Sequence, residues 1–383
     1  MSEKDNNKFG SWKFLTRVVL KTAVLFLLLN AAFALATPPE TLGRLSLYNT
    51  VIPGRLRLPY GENPAESYNL SLNNLPAMFA SHSISRPKAA DEFRLLLIGD
   101  SGTWGWLLEN DQTLAGQINQ GNYKAEDGRT IVAYNLGYPI LALSKDLLIL
   151  EEAMKHEPDM IIWLVTLESF PRQKQLTPPL VLNNPERMER LVERFNLAVD
   201  VNDEGFVRPS FLEQTIVGQR RPLADLLRLQ LYGFSWMATG IDQSIPAETT
   251  LRQSDFEADI SWQGFEVPQP LGEQELALDV LAAGIELADG VPLLLINEPM
   301  FISDGQNSDL RYNSFYPRWA YDAYRDLLAT EAAENGWDYL DLWNSVPPEA
   351  FTDTPVHLTP DGVKMLTMFL MGSGGQLTVS SEQ

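Results

Sequence analysis

The sequence predicts an α/β protein built on a doubly wound, mostly parallel sheet with helices on both faces, three layers in all. Three observations carry that expectation. Predominantly apolar runs of strand length recur at 93–98, 130–136, 159–166, 291–297 and 337–342. Stretches of helical periodicity alternate with them, the order that forces a parallel sheet with crossover helices. The chain is also large enough for a core, with 383 residues, 45% hydrophobic content and nine tryptophans.

Taken in order, the elements begin with Lys4, Lys8, Lys13, Arg17 and Lys21 ahead of an apolar segment from Val18 or Thr22 to Ala36. Basic residues on that flank keep it cytoplasmic and send the remainder across the membrane. Counted from Val18 the segment has about the 20 residues a bilayer span needs; counted from Thr22 it has the size of a signal-peptide core, and Ala34-Leu35-Ala36 is an A-x-A cleavage pattern. Residues 1–36 are therefore a basic tip plus a transmembrane anchor or a signal peptide. The expectation is a single-pass protein of the cell membrane with a cytoplasmic amino terminus and an extracytoplasmic body, or a secreted protein if the signal is removed.

Residues 37–91 are rich in Pro, Asn, Ser and Gly, with strand-like pieces only at Leu45–Tyr48 and Leu56–Leu58. They read as an extended stalk or wrap whose Arg44, Arg55 and Arg57 are solvated. Asn69-Leu70-Ser71 fits a glycosylation sequon. The body spans 92–372. Its helices include Asp111 to Gln120 and Lys145 to His156, where His156 is read as a cation at a helix carboxyl end. Between about 171 and 275 the alternation is interrupted by an insertion with two amphipathic stretches, one opening at Asn184-Pro185-Glu186 and one from Ser210 to Gly240. The insertion is expected to cap the sheet; the second stretch, with Arg220, Arg221 and Trp236, also suits an interfacial membrane helix. Leu358 to Met371 closes the body, and 373–383 forms a flexible tail.

Bulk charge excludes some functions. Fifty acidic against 29 basic residues give a formal charge of −21, which repels a phosphate backbone and argues against a nucleic-acid partner. With no cysteine in the chain, disulfides, thiol catalysis and cysteine metal sites are out. No cofactor or metal is expected.

Chemistry concentrates at strand ends. Gly99-Asp100-Ser101-Gly102-Thr103-Trp104-Gly105 follows the first apolar run, so Ser101 is either a nucleophile at the carboxyl edge of the sheet or, with Asp100, a helix cap. Gly137 ends the second run and brings a bare backbone NH within reach of a ligand. His357, one of three histidines, lies in a Pro-flanked loop four residues after Asp353. Asn297 and Glu298 follow the fourth run. The segment Ser303 to Tyr324, read as a loop, is dense in Asn, Arg and aromatics; its Arg311, Tyr312 and Trp319 are candidate substrate contacts, aromatic platforms that suit sugar rings.

At these residues the sequence resembles the SGNH or GDSL hydrolase family over roughly 92–170 and 290–372. Ser101, Gly137 and His357 match three of its four blocks in order. The resemblance implies a serine esterase in which Ser101 attacks an ester carbonyl, His357 serves as general base and Asp353 orients it. The oxyanion would be held by the NH groups of Ser101 and Gly137. Two departures stand out. The asparagine block after the third strand is absent, leaving the Thr166 hydroxyl as a substitute donor, and Asp353 precedes His357 by four positions where the family has three, the place of Thr354. The expected substrate is a small ester or an O-acylated glycan of the cell envelope or of a secreted polysaccharide. An O-acyltransferase on such a glycan and a catalytically silent binding protein of the same fold are the alternatives.

Overall fold

The computed structural model describes residues 12–36, 38–61, 70–243, 245 and 248–372. Lys4, Lys8, Asn69 of the sequon and the tail 373–383 lie outside the described residues. Five strands form one sheet: β1 (Glu92–Ile98), β2 (Thr130–Asn135), β3 (Met160–Val165), β4 (Leu293–Asn297) and β5 (Asp338–Asp341). Every pairing is parallel and the order is β2-β1-β3-β4-β5. Chain direction across the sheet therefore reverses between β1 and β3, which opens a crevice beyond their carboxyl ends.

The helices, in chain order, are α1 (Trp12–Ala36), α2 (Pro38–Gly43), α3 (Leu75–Ser81), α4 (Ser101–Trp104), α5 (Leu114–Gly121) and α6 (Leu143–Ala153). They continue as α7 (Pro179–Leu182), α8 (Pro185–Phe195), α9 (Arg220–Thr239), α10 (Leu278–Leu287), α11 (Arg318–Asn335) and α12 (Pro360–Met371). Strand residues alternate between two cores, as a period-two backbone demands. Leu96, Ile98, Ile161, Trp163, Val165 and Leu295 pack with α6, α10 and α11 on one face. Leu95, Leu97, Ile162, Leu164, Leu294 and Ile296 pack with α5 and α12 on the other. Both faces being covered explains why these strands read as continuous apolar runs. The expected three-layer α/β fold is what the chain adopts.

α1 is 25 residues long and apolar enough to cross a membrane. Its last turns are not bare: Asn30 and Ala34 are buried, and the Asn30 side chain accepts a hydrogen bond from Val217 N at 3.3 Å. The insertion contains α7 to α9, of which α9 rests on the wrap that follows α2. Tyr48 OH donates to Leu229 O at 2.7 Å, and the Arg55 guanidinium donates to Gly233 O and pairs with Asp242.

Four sequence expectations are corrected. Arg55 and Arg57 are buried, because each donates to backbone carbonyls inside the fold. α3 forms within the wrap; Asn74 caps it by accepting from Ala77 N, and Pro76 sits in its first turn, where a missing NH costs nothing. His156 is not a helix-end cation, since burial lowers its pKa and its ring stacks on Phe79 at 5.5 Å. The segment 303–324 is not all loop: α11 starts at Arg318, right after Pro317, and buries Tyr321 and Tyr324.

Candidate active site

Ser101 is the first residue of α4, immediately beyond β1. Asp100 caps the helix by accepting from Gly102 N at 2.7 Å, so the capping role and the presentation of Ser101 coexist. The amide of Ser101 occupies the first helical position, where no intrahelical acceptor exists. After one turn Gly105 reverses the chain at φ +88°, a conformation open to glycine, and Trp106 N then closes back on Ser101 O at 3.0 Å. That reversal lays the Trp106 ring over His357, 6.0 Å between centroids and 27° from parallel.

His357 reaches Ser101 from 256 positions away. Its Nε2 lies 2.8 Å from Ser101 Oγ and its Nδ1 2.8 Å from Asp353 Oδ1. The four-residue spacing works because the loop is a closed hairpin: Thr352 N donates to His357 O at 2.8 Å, and Thr359 N to Ala350 O at 2.8 Å. Thr352 Oγ1 lies 3.0 Å from Asp353 Oδ1 and 3.1 Å from His357 O, two acceptors that share its one hydroxyl proton. The Thr354 hydroxyl, at the three-residue position, is buried without a hydrogen-bond partner. Arg252, from the insertion, donates to Phe351 O and Pro348 O and so braces the same hairpin. The hydrogen bond from His357, followed by its charge and by the Thr352 hydroxyl, holds Asp353 below the usual carboxylate range against the opposing cost of burial.

A buried charged layer lies beneath the serine. Lys145 is fully enclosed and its ammonium donates to Gly99 O at 2.8 Å and Tyr138 O at 2.7 Å, tying the ends of the first two strands together; Asp146 supplies its counter-charge. Glu298 is buried beside Asp100. Burial, reinforced by the Asp100 carboxylate, pushes its pKa well up, and one of its oxygens has no hydrogen-bond partner.

The turn bearing Ser101 is held from outside by the wrap. The Arg57 guanidinium donates to Gly105 O at 2.8 Å, Leu108 O at 2.9 Å and Asn110 Oδ1 at 2.9 Å, and lies 4.4 Å over the Trp104 ring. Trp104 Nε1 donates to Leu58 O, and Tyr60 meets Trp106 edge-on at 6.5 Å. The sequence reads Arg57 as solvated and gives no role to Tyr60 or Trp106. The signal was present in Trp104-Gly105-Trp106, two large rings around a residue free to reverse the chain.

The remaining candidates are engaged elsewhere. Gly137 N donates to Asn135 Oδ1 at 3.1 Å, and a Cβ on Gly137 would come within 2.7 Å of the Thr103 carbonyl carbon, so this glycine is required by close packing on α4. Thr166 Oγ1 is bonded to Tyr316 OH at 2.9 Å and fully buried. Asn297 is buried, bonding Asp341, Tyr321 and Tyr324. Arg311 binds carbonyls of Asp259, Ser261, Asn313 and Ser314; Tyr312 OH donates to Asp322, and Trp319 Nε1 to Ile260 O. These three hold the late insertion and α11 together, so their polar groups are already bonded within the fold. Among the described residues no His, Asp and Glu cluster fit to hold a metal ion is found.

Fold and site define a class: a hydroxyl, imidazole and carboxylate in hydrogen-bond series at the switch point of a flavodoxin-like parallel sheet. Solved structures to which the chain is similar include a member of the lipolytic protein G-D-S-L family from Veillonella parvula DSM 2008, with 11% identity, 72% of this chain and 96% of that chain covered, and a TM-score of 0.33. They also include Axe2, an acetylxylan esterase from Geobacillus stearothermophilus, with 12% identity, 78% and 98% coverage and a TM-score of 0.36. A third is the M. smegmatis aryl esterase, with 11% identity, 72% and 95% coverage and a TM-score of 0.31. No family model matches the chain, and no curated protein matches it.

Proposed function

We propose that this protein is an SGNH-type serine esterase whose body works outside the cytoplasmic membrane, held there by α1. The observation that carries the reading is the series Ser101 Oγ to His357 Nε2 to Asp353 Oδ1, 2.8 Å at each step. A serine hydroxyl is a weak nucleophile until a base within hydrogen-bond reach takes its proton. In the proposed cycle Ser101 Oγ bonds to the ester carbonyl carbon as His357 Nε2 accepts the proton. Collapse of the tetrahedral adduct breaks the bond to the alcohol, which leaves with that proton. Water then attacks the acyl-serine by the same route, returning the enzyme and releasing the acid.

Asp353 is proposed to fix the His357 ring and its tautomer. The Ser101 amide is the oxyanion donor this geometry favours. Gly137 N joins it only by giving up Asn135, and the enclosed Thr166 hydroxyl adds little, so turnover is expected to be slow, each missing donor costing about 10²-fold to 10³-fold. Substrates are proposed to be O-acyl groups on a polysaccharide. With the 311–319 side chains committed to the fold, the wall offered to a sugar is Trp106, half-buried over His357, with Tyr60 at its edge.

The test uses the full chain in detergent with p-nitrophenyl acetate and a fluorophosphonate probe. Wild type is expected to label at Ser101 and Ser101→Ala not at all. Asp353→Asn is expected to lower kcat by about 10⁴-fold, the cost of the wrong imidazole tautomer in such relays. A wild-type protein that neither labels nor turns over would overturn the esterase and favour a silent binding protein.

A further inference from the structure

The apolar residues left outside are not scattered. α9 turns one face, through Leu226, Leu229 and Gly233, onto the core. A second stripe on the same helix faces outward, with Leu227 63% and Leu231 62% exposed. The turns leading into α9 add Leu212, 76% exposed, and Val217. The wrap continues the surface, because Leu47 N donates to Gln230 Oε1 at 2.7 Å, and Leu47 and its neighbour Val51 are both exposed. Exposed apolar side chains gathered on one helix and on the segments bonded to it mark a binding surface in a chain of net charge −21.

Position identifies the occupant. The surface is continuous with α1 through Val217 N and Asn30 Oδ1. Asn30 lies six residues inside the carboxyl end of α1, which at 1.5 Å per residue is about 9 Å along the helix axis. A segment bonded at that depth lies at the headgroup and acyl boundary, where interfacial helices insert by about 5–10 Å. Arg220 and Arg221 are exposed at the start of α9, directly after Val217, and long cationic side chains there extend to phosphates while their stems stay apolar. Together with Arg228, and set against Glu213 and Asp225, they leave this stretch with a small positive charge in a chain of net charge −21, suited to anionic headgroups.

We propose that α9, the turns before it and the start of the wrap form a membrane-interface surface that lies in the outer leaflet beside α1. The proposal rests on α1 being a retained span, and the experiment separates the two. The chain has no cysteine, so single sites accept a nitroxide cleanly. Full-length protein in vesicles of phosphatidylethanolamine and phosphatidylglycerol is labelled at Leu27→Cys in α1, at Leu212→Cys, at Leu231→Cys and at the exposed Glu334→Cys of α11. Collision with oxygen, which concentrates in lipid, is compared with collision with a water-soluble nickel chelate. The ratio is expected to exceed one at 27, 212 and 231 and to fall below one at 334. Values at 212 and 231 matching 334, with 27 still in lipid, overturn the docking surface and leave the span standing. A nickel-accessible 27 overturns both. Spin–spin broadening at 231 that disappears on dilution with unlabelled protein assigns the surface to a second copy and likewise overturns the proposal.

Discussion

Truncating Arg57 to alanine is expected to cost about 3 kcal/mol and to unsettle the turn that presents Ser101. The guanidinium makes three short hydrogen bonds, to Gly105 O, Leu108 O and Asn110 Oδ1, and a longer one to Trp104 O at 3.4 Å. Hydrogen bonds from a charged donor contribute about 1.5–3 kcal/mol each, so three amount to roughly 4.5–9 kcal/mol. Against this stands the cost of burying the cation. Burial pushes Arg57 down to about 10 from its ordinary 12.5, and at about 1.4 kcal/mol per pH unit that is roughly 3 kcal/mol. Alanine loses the first quantity and recovers the second, a net loss of about 1–6 kcal/mol. Urea unfolding of the full chain in detergent, followed by tryptophan emission, reads it directly, since Trp104 is under the guanidinium. Arg57→Lys keeps the charge but cannot serve three diverging acceptors, and is expected to recover only part. A loss below about 1 kcal/mol, with Ser101 labelled at the wild-type rate, would refute the idea that the wrap braces the turn that carries Ser101.

Two further outcomes concern buried titratable groups. His82 is fully enclosed and burial pushes it down to about 3. Between that value and about 6.5 the unfolded chain binds a proton the folded one refuses, so stability is lost as pH falls, by about 3 kcal/mol at pH 4.5. His82→Asn keeps an acceptor for Ile84 N, a bond His82 Nδ1 makes at 3.2 Å, and should remove that part of the difference between unfolding midpoints at pH 7 and 4.5; an unchanged difference would count against it. Glu298, raised by burial and Asp100, contributes stability that is fully present below the unfolded carboxyl pKa and is lost as pH rises through its folded one. Glu298→Gln imitates the protonated form and is expected to flatten that loss with rising pH, while a steeper decline in the variant would show that Glu298 is ionised in the fold.

How much was legible in the sequence follows from how local each signal is. Strands covered by helices on both sides write themselves as apolar runs, and the edges at 93–98 and 130–136 fall within one residue of β1 and β2. The turn around Ser101 was visible because glycine and an N-cap aspartate act on their immediate neighbours. By contrast, the four-residue step from Asp353 to His357 reads as a defect in one dimension. It is accommodated by the bond between Thr352 and His357, which only a closed hairpin reveals. Arg57 and Arg55 looked solvated because nothing adjacent in sequence announces that distant carbonyls will enclose them. Tyr312, Trp319 and Arg311 have the composition of a ligand platform, yet the insertion claims the polar ends of Arg311 and Trp319, and Asp322 of α11 claims that of Tyr312. Side chains that can recognise a sugar can equally fasten one loop to another, and composition does not separate the two uses.

The stretch from Tyr48 to Tyr60 has a consequence for any shortened form of the protein. At one end it grips α9 through Tyr48 and Arg55, and at the other it clasps the serine turn through Arg57, Leu58 and Tyr60. Proteolysis after Ala36 would leave the body with this strap still buckled, and the cut and uncut forms would share the same arrangement of Ser101, His357 and Asp353. A cut after Tyr60 would spare every strand of the sheet, yet strip Gly105 and Leu108 of their charged donor and vacate the Leu58 socket in the core. A shortened form is therefore expected to need a start ahead of Tyr48, well before the first strand, to keep these contacts.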